Sequence, residues 1–409
     1  MSTLSDPPAE SFRLSQLIND KRYRSITFQF IALLGLILVM AYLGWNLIQN
    51  LAAAGLNISY AFLGEPAGYD INQTLIDYNS QSSHWRAAVV GVLNTLLVAV
   101  VGCFLATVIG VVVGVLRLSK NWLVRKLMAV YVEIFRNVPV LIWILIIMAV
   151  FVAVLPQPRD FRGDNPEASM LWDAFAFTGR GFYSPRPFFT AEWAAGGTGW
   201  LVVIALLVAG FFGARALTNW ANRTQEATGI RPTTWYYTLG IWFGPLIIAL
   251  VAMGLSWEMP ELKGFNFRGG IFMRNSLIAL TFALAIYTAA FIAENVRAGI
   301  LAVSKGQTEA AASLGLRPNR IMNLVVLPQA LRVIIPPLIS QYLNLTKNSS
   351  LAIAVGYMDL TGTLGGITLN QTGRAIECVL LLMLFYLTIS LGISAIMNVY
   401  NNAVKLKER

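Results

Sequence analysis

Between residues 297 and 332 the chain spaces a small set of residues in a way that suits an interface rather than a reaction. Glu309-Ala310-Ala311 is followed, after three residues, by Gly315; after nine more comes Val325, and after one more Leu327-Pro328. Gln307 to Leu314 is alanine-rich and favours helix, with Gly306 before it, Gly315 after it and Pro318 beyond. A helix this short does not persist alone in water, so it must dock on something. Ala310, Ala311 and Ala312 let another backbone approach closely, and Leu314 offers an apolar knob. A solvated surface helix is the structural alternative; it accounts for three residues but not for the whole spacing.

Nothing else in the chain is arranged for covalent chemistry. No Gly-x-x-x-x-Gly-Lys-Ser/Thr occurs, so no phosphate-cradling loop is encoded. His84 is the one histidine and has no Cys, Asp or Glu at ligand spacing. It stands beside Trp85 and is expected to be a solvated boundary residue. Cys103 and Cys378 both fall in apolar stretches and read as packing residues. Three polar groups are candidates for binding. Lys347 follows Pro336-Pro337 in a polar run with Asn344, Thr346, Ser349 and Ser350, about 22 Å along a helix from Arg332. An ammonium there could hold a carboxylate, or snorkel to a water boundary. Glu133 and Arg136, three apart, are expected to pair on one helix face, or to line the inner half of a pathway; Glu294 and Arg297 repeat the spacing. Asn94 and Thr95 suit hydrogen bonds between helices.

The elements that must hold these residues are membrane-spanning. The chain is 56% hydrophobic and 12% charged, with mean hydropathy +0.63, where soluble domains carry about 25% charged residues. Eight apolar runs are long enough to cross a bilayer: roughly 26–49, 87–116, 127–155, 200–217, 235–255, 276–298, 329–354 and 376–400. They are expected to be helices, because lipid offers no partner to unpaired backbone groups. With the N-terminus inside, the cytoplasmic segments 1–25, 117–126, 215–231, 297–332 and 405–409 hold nineteen Lys/Arg and the external ones nine. That bias satisfies the positive-inside rule. The net charge of +10 is therefore a topology signal and not a nucleic-acid site. The first 25 residues, with Pro7-Pro8, lack a cleavable signal, so the first span is expected to stay as an anchor. Trp45, Trp85, Trp122, Trp200, Trp235 and Trp257 fall at the expected lipid–water boundaries.

The full spacing from Glu309 to Leu327-Pro328 resembles the signature loop of ABC-importer permeases, with Val325 where that family most often has Ile. Tyr131-Val-Glu-Ile-Phe-Arg136-Asn-Val-Pro139, Arg297 to Gln307, and Lys347-Asn-Ser-Ser-Leu351 resemble elements of the polar amino-acid (histidine/glutamine-type) permeases. The split core resembles the larger Q-type subunits of general L-amino acid importers, whose close relatives carry glutamate, glutamine, aspartate and asparagine.

The resemblance implies an all-α polytopic protein of a bacterial inner membrane, with about eight transmembrane helices and both termini cytoplasmic. It divides the chain into a tail (1–25), an extra first helix and external loop (26–86), a first part of a five-helix core (87–155), a two-helix insertion (156–271), the second part of the core with the coupling loop (272–400), and a tail (401–409). It assigns ATPase coupling to Gln307, Glu309, Ala310, Ala311, Leu314, Gly315, Leu327 and Pro328. The polar groups carried by the spans themselves, Lys347, Asn344, Ser349, Ser350, Asn94, Thr95, Glu133 and Arg136, are the candidates for a substrate pathway. The resemblance also implies partners: ABC ATPase subunits that bind ATP and Mg, a second related permease, and a periplasmic amino-acid-binding protein. The chain itself is then no enzyme and holds no cofactor or metal. Two rivals remain at this point. An ion-coupled secondary transporter needs an acid deep in a span, and Glu133, Glu294 and Glu377 fall near span ends. A sensor or scaffold leaves the Glu309 loop unexplained.

Overall fold

Prolines and glycines decide where the helices of this chain stop, and the small residues between them decide how closely they pack. The computed structural model describes residues 18, 20–55, 57–162 and 166–404. The start of the N-terminal tail, Pro7-Pro8 included, and the basic cluster at 405–409 lie outside the described residues. Two units separate, Met1–Phe62 and Leu63–Arg409. The first holds α1, Lys21–Ala53, whose apolar side chains are exposed all round, as suits a helix solvated by lipid.

The second unit begins its helices with α2 (His84–Leu116), capped by the Ser83 hydroxyl, and α3 (Trp122–Asn137), capped by Asn121. Pro139 then breaks the expected 127–155 span. It disfavours helical geometry at Val138, which is extended, and α4 restarts at Val140–Val154. Glu133 and Arg136 therefore lie on a separate amphipathic helix, not in the first turns of the third span. Next come α5 (Thr198–Thr228), α6 (Trp235–Ala252), α7 (Asn275–Leu301), α8 (Lys305–Ser313) and α9 (Pro318–Ile321). A wide turn, Met322–Val326, leads into α10 (Leu327–Asn348) and a 3₁₀ stretch, Ser349–Val355. After a wide-turn segment, Thr361–Thr368, the chain closes with α11 (Leu369–Thr372) and α12 (Ala375–Val404). Among the described residues, eight helical stretches are long and apolar enough to cross a membrane.

α7 is the hub, packed against α2, α10, α4 and α3. Val98, Ala106, Leu280, Leu284, Ile292, Ile334 and Leu345 form the core between these helices. Glycines on α2 let the two backbones nearly touch: a Cβ at Gly110 would stand 2.6 Å from Ile292 Cβ, and one at Gly114 2.8 Å from Ala293 O.

The segments between spans three and four and between five and six are not plain loops. They form short antiparallel strands: β1 (Ala176–Thr178), β2 (Gly181–Ser184), β3 (Arg186–Phe189), β4 (Leu255–Glu258), β5 (Glu261–Lys263), β6 (Asn266–Arg268) and β7 (Ile271–Arg274). β2 pairs with both β1 and β7, β3 with β4, and β5 with β6. Pairing of β2 with β7, Gly181 opposite Arg274, places both segments on one side of the spans. Tyr183, Phe267 and Phe272 pack at ring distances of 5.2 and 4.7 Å, which explains the aromatic content of this region.

Candidate coupling site and transport face

At the end opposite the strands, α8 ends where Gly315 takes φ +75° and its N–H donates to Ala312 O at 2.9 Å. One side of α8 is anchored. Ala311 is 6% exposed and packs with Ile321 and Val326, flanked by Val303, Leu316 and Val325. The other side is open: Gln307, Glu309 and Ala310 are exposed, and Leu314 is 80% exposed. Leu327 N donates to Met322 O, closing the wide turn just before Pro328. A proline ring crowds the carbonyl four residues back, and a widened turn relieves that contact. The motif thus divides into two jobs. Ala311, Val325 and Pro328 hold the platform, while Gln307, Glu309, Ala310 and Leu314 face outward.

α10 leaves one face uncovered within this chain. Val333, Pro337, Ser340, Asn344 and Lys347 are exposed and recur at helical spacing. Ser349 turns away from that face; it is buried and donates to Thr346 O at 2.8 Å, while Ser350 is half-buried. Asn94 and Thr95 are fully buried on α2 and grip the segment after the 3₁₀ stretch. Asn94 Nδ2 donates to Met358 O at 2.8 Å, and Leu360 N donates to Thr95 Oγ1 at 3.1 Å.

Between those two bonds sits Asp359, which the sequence reading missed. It is fully buried, its Oδ1 accepts from Gly362 N at 2.8 Å and its Oδ2 from Tyr386 OH at 3.2 Å. Burial pushes its carboxyl up to about 6, and the Gly362 and Tyr386 hydrogen bonds hold it against a further rise. It ties the 356–368 segment to α12. The available signal was its isolation, since residues 348–373 contain no other charge.

The expected Glu133–Arg136 pair does not form. The Arg136 guanidinium lies over the Phe291 ring, 5.4 Å from its centroid, and Glu133 Oε2 accepts from Asn137 Nδ2 at 3.3 Å. A ring across a helix contact offers the cation a partly dry site that a neighbour on its own helix does not. Glu294 and Arg297 do pair, at 2.7 Å, and Arg117 at the end of α2 joins the same carboxylate.

The family described as "Binding-protein-dependent transport system inner membrane component" matches residues 231–406. The glutamate/glutamine/aspartate/asparagine transport system permease protein BztB of Rhodobacter capsulatus is 54% identical over 100% of both chains. The chain belongs to the amino-acid ABC-transporter permeases. Two further relatives agree: the general L-amino acid transport system permease protein AapQ of Rhizobium johnstonii is 43% identical over 95% of this chain and 94% of its own. The putative amino-acid ABC transporter permease protein YhdX of Escherichia coli is 43% identical over 94% of this chain and 95% of its own. It is a multi-pass inner-membrane permease subunit of a binding-protein-dependent importer, and the ion-coupled alternative falls away.

Within this permease His84 corrects a further expectation. It is 4% exposed, and its Nδ1 lies 3.2 Å from Thr368 Oγ1, which is also 3.0 Å from the Tyr69 hydroxyl. Cys103 and Cys378 are free thiols, half-buried and buried, as their apolar surroundings imply. The residues expected to couple, Gln307 to Pro328, converge at one end, while Asn344 and Lys347 stand on the uncovered α10 face.

Proposed function

We propose that this permease moves L-amino acids, with glutamate, glutamine, aspartate and asparagine among them, through a pathway it forms with a second, related permease. The relatives' names support the substrate class. The loop side faces the cytoplasm, as the Lys/Arg bias favours, and both termini lie there. A periplasmic binding protein delivers substrate to the strand side. The observation that carries the coupling role is the outward knob of α8, anchored through Ala311 and presenting Leu314 to a partner. That partner is an ABC ATPase, which binds ATP with Mg and performs the hydrolysis. Closing of its subunits moves α8, and the platform under α8 passes the motion to α10. The five-helix core, 87–155 and 272–400, holds the pathway, and 156–271 is an addition to it.

Purification of the complex from membranes tests this reading. A stoichiometric ATPase and a second permease are expected to accompany the chain, and the ATPase is expected to be lost when Glu309→Ala and Gly315→Asp are combined. If the intact wild-type chain purifies alone and transports in liposomes without ATP, the reading is wrong.

The uncovered α10 face lines the pathway, with Lys347 presented to the α-carboxylate every amino acid carries. Lys347→Ala is expected to lower uptake about tenfold, the loss of one charge-assisted hydrogen bond, with assembly retained. Unchanged uptake and substrate affinity would make Lys347 a boundary anchor.

A further inference from the structure

On the strand side, the first turn of α7 opens into a cavity of about 620 Å³ between the core and the small sheets. Arg180 and Asn266, from the insertion, share its lining with Asn72, Arg274, Asn275 and Ser276. Arg180 and Arg274 both line this space and no carboxylate is among the lining residues; Arg180 Nη1 donates to Phe265 O at 3.5 Å. Their fields converge: burial raises the Tyr183 hydroxyl above its usual range, while a hydrogen bond to Asn266 and the charges of Arg180 and Arg274 pull it back.

Two observations at the helix start point to a missing ligand. No side chain caps α7, so its first N–H groups carry the positive end of a 27-residue helix. Ser276, in that first turn, is 5% exposed and its Oγ has no hydrogen-bond partner. A buried hydroxyl without a partner is unusual and calls for one. The wall is also held in place without any ligand. Gln73 Oε1 accepts from Arg274 N at 3.1 Å, Gln73 Nε2 donates to Phe272 O at 3.3 Å, and Asn275 Nδ2 donates to Thr178 O at 2.9 Å. A wall fixed by its own hydrogen bonds lowers the ordering cost of binding a ligand.

We propose that this cavity is a carboxylate-binding vestibule that receives a free amino acid, dicarboxylic ones best, on the strand side before it enters the helical pathway. The proposal rests on the reading of the chain as an amino-acid permease. A concave site of this volume fits a small molecule and not a protein face. Arg180 and Arg274 take the carboxylates, and the Ser276 hydroxyl with the α7 N–H groups completes the anion site. Since Arg180 and Asn266 come from 156–271, the insertion gains a role in substrate reception.

The test is equilibrium binding of L-glutamate to the complete transporter in nanodiscs, without the binding protein. Saturable binding is expected, with Kd about millimolar or tighter. Glutarate should displace the bound L-glutamate and the diamine cadaverine should not. Arg180→Gln with Arg274→Gln should weaken binding about tenfold or more, and Ser276→Ala alone about threefold or more. Absence of saturable binding to the wild type, displacement by cadaverine as strong as by glutarate, or wild-type affinity in both variants overturns the vestibule. ATP hydrolysis stimulated by the loaded binding protein, measured on the same nanodiscs, keeps the two readings apart. If stimulation is present but L-glutamate does not bind, the vestibule alone fails; if stimulation is absent, the importer reading fails.

Discussion

Gly315→Asp is expected to cut ATP-driven uptake about tenfold or more and to abolish stimulation of the ATPase by the loaded binding protein, with the amount of inserted permease unchanged. Nothing lies within 4 Å of a Cβ added at Gly315, so the substitution creates no clash inside the chain. Its local cost is the left-handed backbone at φ +75°, about 1–2 kcal/mol for an L-residue. The larger effect falls on docking. Leu314 is 80% exposed and is the apolar contact proposed above for the ATPase. A carboxylate beside it has to be stripped of water when the interface closes, at a cost of several kcal/mol unless paired. Gly315→Ala brings only the backbone cost and should show a milder defect. Uptake at the wild-type rate in a correctly assembled Gly315→Asp complex would remove Gly315 from the coupling site.

The spans were legible because a helix in lipid is a local object, written in about twenty consecutive apolar residues. The third span misled for an equally local reason. Its hydropathy runs on through Pro139, but the backbone cannot, and α3 separates from α4 there. The strands were not legible at all. β2 is four residues long and finds β7 only after two intervening helices, so the pairing Gly181 to Arg274 is a tertiary fact that no short window contains. The Pro- and Gly-rich composition of the segment concealed it further.

The same division between local and non-local runs through the site. Residues 305–328 were readable because helix, stop and proline act within one stretch, and the structure separates them into an anchored and an outward set. Glu294 and Arg297 were readable for their i, i+3 spacing, but Arg117 is supplied by another helix. Arg136 failed that rule because Phe291, on α7, is its neighbour. Asp359 and Ser276 depend wholly on what surrounds them. One is buried with its bonds made, the other buried with its bond missing, and neither condition can be read from composition.

Gly110→Ile should prevent α2 and α7 from closing, and with them the whole core. The added Cβ would stand 2.6 Å from Ile292 Cβ and 3.0 Å from Ala289 O. Neither atom can rotate away, since a Cβ is fixed by its backbone as a helix carbonyl is, so the helices must separate along the seam. Overpacking a close-fitting core costs about 1–3 kcal/mol or more, and here the remaining side-chain atoms have no space to occupy. The expected result is a lower thermal midpoint for the purified permease, with Gly110→Ala intermediate. Gly44→Ile on α1 is the control, since nothing lies within 4 Å of a Cβ there. A wild-type midpoint for Gly110→Ile would mean that the seam is looser than its geometry. The consequence reaches function, because α7 runs from the Ser276 cavity to the platform beneath α8. Under the coupling proposed above, a close-packed α2–α7 pair would carry a push at Leu314 as one body rather than absorb it between helices.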